Sequence, residues 1–177
     1  MPEQLTREPA GTRSGGAVSV IGQAGIIVVA CAAAGAVAAV VWEWLWTPPV
    51  GMVVDHRWLL GLGGLRAEFS ATGFYVVVAT VAGVLVGVLC GLFLHRAELV
   101  TLAAVVLGAA LAGWVMVQVG HMLGPSDPRE LAETARNGTR LPSDLRIVGT
   151  SPYVAFPAGA TLGLAVMFLG LSKRHTD

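Results

Sequence analysis

The chain has 177 residues, of which 55% are hydrophobic and 12% are charged. The charged fraction is about half that of an ordinary soluble domain, so the composition excludes a soluble globular protein. Eleven basic and eleven acidic residues balance each other, and the basic residues form no cluster. The sequence therefore predicts no binding to nucleic acid.

Four long apolar segments dominate the sequence, at about residues 18–46, 74–94, 99–122 and 152–171. Each has the ~20 residues that a helix needs to cross a hydrocarbon core of ~30 Å. A short polar turn, His95-Arg96-Ala97-Glu98, separates the two central segments and predicts a transmembrane hairpin. We therefore expect an all-α membrane protein with four transmembrane helices, an up-down-up-down bundle and two longer extracytoplasmic loops.

The two ends of the chain are polar. Residues 1–17 have almost nothing to bury and are predicted to be a disordered tail, and residues 173–177 form a second short tail. A cleaved signal peptide is an alternative for the first span, because Ala34-Gly35-Ala36 resembles a cleavage site. The apolar run is longer than a typical signal-peptide core, which favours a retained span.

Basic residues predict the orientation. Arg7, Arg13, Arg96, Lys173 and Arg174 make the two tails and the short turn denser in positive charge than the two long loops. Because positively charged segments tend to remain in the cytoplasm, we expect both termini to be cytoplasmic. The expected location is a bacterial cytoplasmic (inner) membrane.

The first long loop, residues 47–73, follows three tryptophans that are typical of the headgroup layer, Trp42, Trp44 and Trp46. The glycines at 61, 63 and 64 argue against a long helix in this loop.

The second long loop contains a helix signal. Asp127 is a suitable N-cap, Pro128 fits the first helical position, and Glu130 completes a capping box. We expect a short helix at 128–136, followed by an extended segment over 141–148 that packs against the bundle.

Glycines recur at four-residue steps within the spans. Such steps form small-residue stripes along which helices approach closely in a membrane, so the pattern predicts packing within the bundle or against a second copy or partner. The predicted packing residues are Gly83, Gly87, Gly91, Gly108, Gly159 and Gly163.

Three ionisable side chains near the same end of the bundle are candidates for a functional site: Glu43, His56 and His121. Ionisable groups close to the membrane are functional candidates by default, but all three fall where water can reach them. None has metal-ligand spacing, such as two histidines one helical turn apart. The sequence also lacks catalytic and cofactor-binding motifs, so we expect no cofactor, no metal and no enzyme.

Short motifs recur at the ends of the spans: Trp46-Thr47-Pro48-Pro49, Glu68-Phe69, Gly73-Phe74, Leu141-Pro142, Pro152 and Pro157. With these motifs, the chain resembles a family of small four-span actinobacterial membrane proteins of unknown function, over about Val37 to Gly170. The resemblance implies a four-helix fold in a bacterial inner membrane, and it carries no catalytic residues.

The most economical interpretation is a structural or accessory protein that binds the lipid bilayer and either a membrane partner or itself. A small transporter or channel subunit is the first alternative, but few polar residues lie inside the spans, namely Gln23, Thr80, Thr101 and Thr161. A membrane enzyme is the second alternative, with the site between Glu43, His56, His121 and Asp127.

Overall fold

Four long helices dominate the computed structural model, which describes residues 13–93 and 98–172. They are α1 (Arg13–Leu45), α2 (Leu62–Phe93), α3 (Glu98–Leu123) and α5 (Ala155–Ser172), and α4 (Pro128–Thr134) is short. All four long helices contain a segment that is long and apolar enough to cross a membrane. The predicted four-helix membrane fold is confirmed, and the chain is a multi-pass membrane protein.

The closest helix pairs are α1 with α3 and α2 with α5. In each pair, residues later in one helix contact residues later in the other, so the paired helices run parallel. The two helices of the predicted hairpin, α2 and α3, make few direct contacts. Going round the bundle, the order is therefore α1, α3, α5, α2.

Glycines hold α2 against α5. A Cβ atom on Gly83 would overlap the carbonyl oxygen of Phe156, and one on Gly87 would overlap that of Ala160. The contact is reciprocal, because the carbonyl of Thr80 blocks a Cβ on Gly159. The two backbones thus touch directly, which a side chain on any of these glycines would prevent.

The same contact continues towards the other end of the pair. Gly163 packs against the backbone of Val84, and Gly91 packs against the Met167 side chain, with its Cβ position 3.0 Å from the Met167 Cβ. The close approach of α2 and α5 therefore extends over several helical turns.

A second close contact joins α1 to α3. Gly35 packs against the backbone of Ala112, and Gly108 lies over Cys31, whose Sγ is 3.0 Å from the Gly108 Cβ position. Sequence reasoning missed Gly35, although Cys31, Gly35 and Ala39 form a small-residue step on α1. All six predicted packing glycines thus face a neighbouring helix of the same chain.

A small cap lies at one end of the bundle; it comprises residues 46–61 and 124–150. Its antiparallel sheet contains β1 (Val50–Val54), β2 (Arg57–Leu59) and β3 (Arg140–Pro142), in the order β2-β1-β3. Asp55 and His56 join β1 to β2 with positive φ angles of 50° and 58°, as a two-residue hairpin turn requires. The sequence analysis did not predict this sheet.

Two helices begin earlier than predicted. The tail of residues 1–17 was expected to be disordered, but α1 begins at Arg13, and residues 1–12 lie outside the described part of the chain. Extending an existing helix costs little free energy, so α1 reaches into the polar residues that precede the apolar span.

Similarly, α2 begins at Leu62 instead of residue 74. The argument from the glycines at 61, 63 and 64 was wrong, because Gly63 and Gly64 lie within the first turn of α2. A glycine costs a helix only about 1 kcal/mol relative to alanine, so two glycines in a long helix do not prevent it from forming.

The tryptophans at the end of α1 correct a second expectation. Trp44 is 80% exposed, as the headgroup layer requires, but Trp42 and Trp46 are buried. Trp42 and Trp46 are four residues apart and share the inward face of α1, whereas Trp44 lies on the opposite side.

The short helix predicted at 128–136 is present, and it ends two residues earlier, at Thr134. Helix α4 begins after Asp127, whose carboxylate accepts a hydrogen bond from the Arg129 backbone N–H at 2.9 Å. The following extended segment packs on the bundle, where Leu145 and Ile147 are buried.

Replacing Gly87 by Leu should separate α2 from α5, because the new side chain has to occupy the position of the Ala160 backbone. We expect a loss of about 1 to 3 kcal/mol in the free energy of unfolding, the usual effect of overpacking. Thermal unfolding in detergent measures it. Gly73→Leu is the matched control on the same helix, since nothing lies within 4 Å of a Cβ there. Equal thermal stability of the two variants would contradict direct backbone contact between α2 and α5 at Gly87.

Candidate functional site

A buried aromatic junction, formed by Trp42, Tyr75 and Tyr153, lies inside the bundle close to the cap. The rings of Trp42 and Tyr75 meet edge to face, with centroids 5.2 Å apart and an interplanar angle of 72°. Tyr153 continues the cluster, with its centroid 6.5 Å from that of Tyr75. Such geometry is favourable beyond the area that the rings bury.

Both polar atoms of the inner rings are hydrogen-bonded to neighbouring helices. Trp42 Nε1 donates to the Ala71 carbonyl at 2.8 Å, and the Tyr75 hydroxyl donates to the Gly113 carbonyl at 3.2 Å. Each of these bonds joins a helix of one close pair to a helix of the other. The aromatic junction therefore connects the α1–α3 pair with the α2–α5 pair.

Small residues of α3 make room for the aromatic rings. A Cβ on Gly120 would lie 2.6 Å from Cζ3 of Trp42, and one on Gly113 would lie 3.4 Å from the Tyr75 hydroxyl. A side chain at Gly120 would displace the Trp42 ring, whereas a Cβ at Gly113 would lie in ordinary van der Waals contact with the Tyr75 hydroxyl.

The segment 143–148 crosses the end of the bundle above the aromatic junction. Leu145 lies against Gly120 of α3, with its Cδ2 3.6 Å from the Gly120 Cβ position, and the Val148 backbone N–H donates to Thr72 Oγ1 at 3.1 Å. These contacts connect the cap to α3 and to α2. The segment closes the bundle at this end.

The three predicted site candidates lie on three different elements at the cap end of the bundle. Glu43 is half-buried in the last turn of α1, and His121 is exposed in the last turn of α3. His56 lies at the tip of the β1–β2 hairpin, with Nδ1 3.1 Å from the Glu133 carbonyl oxygen. Within residues 13–93 and 98–172, no group of three histidine, cysteine or carboxylate side chains is placed to hold a metal ion.

Charged groups of the cap instead form a small ion-pair network on its surface. Arg146 is 3.1 Å from Asp144 and 3.4 Å from Asp127, and its side chain is 51% exposed. Exposed pairs of this kind contribute little to stability. Their effect is to attach the N-terminus of α4 to the segment 143–148.

Few polar side chains lie inside the spans. Thr161 Oγ1 is 3.0 Å from the carbonyl of Pro157, one turn back in its own helix. Thr80 is half-buried beside the α2–α5 contact, Gln23 is half-buried, and the Thr101 side chain lies outside the described part. The described polar residues therefore do not line a continuous path through the bundle.

An open apolar groove, of about 460 Å³, runs between α1 and α2. These two helices pack less closely than the two glycine pairs. Val37 on α1 is 65% exposed, and Val77 and Val81 on α2 are 61% and 55% exposed. The groove is lined by alanine, valine and leucine side chains alone: Ala34, Val37, Ala38, Val41, Val77, Val78, Val81, Ala82, Leu85, Val86 and Leu89.

Tyr75→Phe should lower the free energy of unfolding by about 0.5–1.5 kcal/mol, because it removes one buried hydrogen bond and leaves the ring in place. Tyr153→Phe is the matched control, since within the described residues the Tyr153 hydroxyl makes no hydrogen bond. We expect the control to unfold like the unmodified protein in detergent. An equal loss in both variants would show that the bond to Gly113 does not stabilise the fold.

Comparison with protein-family models, curated proteins and solved structures found no match to this chain. The resemblance to small four-span actinobacterial proteins therefore stays a prediction.

Proposed function

We propose that the protein is a structural or accessory component of a bacterial inner membrane, which acts by binding a membrane partner or a second copy of itself. Its termini lie in the cytoplasm and its cap lies outside. The proposal assigns no catalytic activity and no cofactor to the chain. It is supported chiefly by one observation, the exposed apolar groove between α1 and α2.

The groove supports this role because the other small-residue contacts are already used within the chain. The glycines of α2 and α5 face each other, and Gly35 and Gly108 lie between α1 and α3. A partner helix must therefore dock elsewhere. The groove provides alanine and valine side chains over about three helical turns, which is a suitable surface for van der Waals packing of a helix in lipid.

The packed interior argues against the transporter alternative. Trp42, Tyr75 and Phe156 are fully buried in it, together with Met116 and Leu164. A transport path would need polar groups facing one another at mid-depth. The enzyme alternative would need Glu43, His56 and His121 to converge, and the described contacts of these residues give it no support.

Photo-crosslinking from the groove tests the proposal. A photoreactive amino acid at Val81 should give a discrete adduct in native membranes, because a protein helix lies against it. The same amino acid at Leu107, which is 70% exposed on α3, is the control and should give none. An adduct of twice the chain mass identifies self-association, and any other discrete mass identifies a partner protein.

A second variant links the adduct to the groove. Val77→Trp fills the groove from an exposed position and should abolish both the adduct and co-purification of the same species in mild detergent. Leu107→Trp should leave both unchanged. If Val81 gives no adduct, or if both positions give the same one, then the groove is lined by lipid and the proposed docking is wrong.

A further inference from the structure

One face of the cap sheet is apolar and uncovered. Val50, Met52 and Val54 alternate along β1 with the buried Gly51 and Val53, so they share the exposed face of the strand. Leu59 is the cross-strand partner of Met52 and lies on the same face. The four side chains are 58%, 43%, 41% and 53% exposed in the order Val50, Met52, Val54, Leu59.

Two arginines complete this surface. Arg57 pairs with Val54, and Arg140 pairs with Met52, so the register places both on the apolar face. Both are exposed, and within the described residues neither forms an ion pair. The exposed acids Glu130 and Glu133 belong to α4, which contacts β2, but in the described part of the chain neither acid forms an ion pair with Arg57 or Arg140. We call the set Val50, Met52, Val54, Leu59, Arg57 and Arg140 the cap face.

The cap face lies close to the level of the headgroups. Leu59 is three residues from the start of α2 at Leu62, a separation of at most about 10 Å. Val50 follows the end of α1 after a short connection. In the last turn of α1, Trp44 is 80% exposed, which marks the layer where aromatic side chains meet lipid headgroups.

We propose that the cap face lies on the surface of the surrounding bilayer, with its apolar side chains at the acyl boundary and Arg57 and Arg140 bound to lipid phosphates. A surface that combines apolar side chains with cations binds the membrane–water interface. The apolar side chains leave water, and the cations contact anionic lipid headgroups. The long arginine stems place the charge outward while the hydrocarbon portion stays near the apolar row. The membrane thus acts as the partner of the cap.

Fluorescence quenching in vesicles tests the proposal on the full chain. Met52→Cys carries an environment-sensitive thiol label, and Arg129→Cys on the exposed side of α4 is the matched control. The native cysteines Cys31 and Cys90 are both buried, so labelling is selective. The protein is reconstituted into vesicles of phosphatidylcholine, with or without phosphatidylglycerol.

In vesicles that contain phosphatidylglycerol, the label at position 52 should emit at shorter wavelength and be quenched by spin-labelled lipid. Quenching by aqueous iodide should be severalfold weaker than at position 129. Reversing both charges, with Arg57→Glu and Arg140→Glu, should restore access to iodide. Arg136→Glu, an exposed arginine after α4, should not.

Equal iodide quenching at positions 52 and 129 in both kinds of vesicle would overturn the proposal. So would protection that persists after both arginines are reversed, because the phosphates would then have no role. Protection in native membranes but not in vesicles would mean that a protein covers the face, and it would likewise overturn the proposal. If the double reversal aggregates, Arg57→Gln with Arg140→Gln removes the charges more gently and gives the same comparison.

Discussion

Close contact between helix backbones is the constraint on which this structure depends. Lipid is as apolar as a leucine side chain, so burial from water does not drive the helices together within the membrane. Attraction must come largely from van der Waals contact, and a gap of about 0.5–1 Å already loses a quarter to a half of it. Gly83 and Gly87 allow such close contact with the backbone of α5, and Gly35 allows it with the backbone of α3.

The glycine contacts join helices that are not consecutive in the chain. Each close pair is parallel, so the chain has to cross from one pair to the other at every connection. Hydrogen bonds as well as apolar contacts join the two pairs. Trp42 of α1 donates a hydrogen bond to α2, and Tyr75 of α2 donates one to α3. Glycines therefore hold each pair together, and the aromatic junction fixes the position of one pair relative to the other.

The sequence predicts the spans and the short cap helix because these depend on local signals. Hydrophobic length identifies the spans, and Asp127 with Pro128 identifies α4. The cap sheet was missed because β2 and β3 have three residues each, too few for a recognisable alternation. The partners of the glycines were also beyond sequence reasoning. Spacing identifies a stripe of small residues, but the helix that approaches it depends on the arrangement of the whole bundle.

The site candidates stay a prediction, because the sequence gives their depth in the membrane but not the distances between them. Glu43, His56 and His121 were grouped because they fall at one end of the bundle, and position along the membrane normal says nothing about lateral distance. Trp42 and Tyr75 carry a clearer signal in retrospect. Both are polar aromatics in apolar segments, and such side chains usually find a hydrogen-bond partner when they are buried. Within the described residues, the buried Nε1 of Trp46 has no such partner.

The sign of the stability change on adding one methyl group tests the central claim most directly. Glycine-to-alanine variants at positions 35, 83, 87, 159 and 163 would be compared with those at 22, 25 and 73, where no atom lies within 4 Å of a Cβ. Thermal unfolding in detergent should show a loss for each of the first five, because a Cβ overlaps a neighbouring backbone. The other three should be unchanged or slightly stabilised, since alanine favours the helix. A uniform gain across all eight would contradict close backbone contact as the basis of the fold.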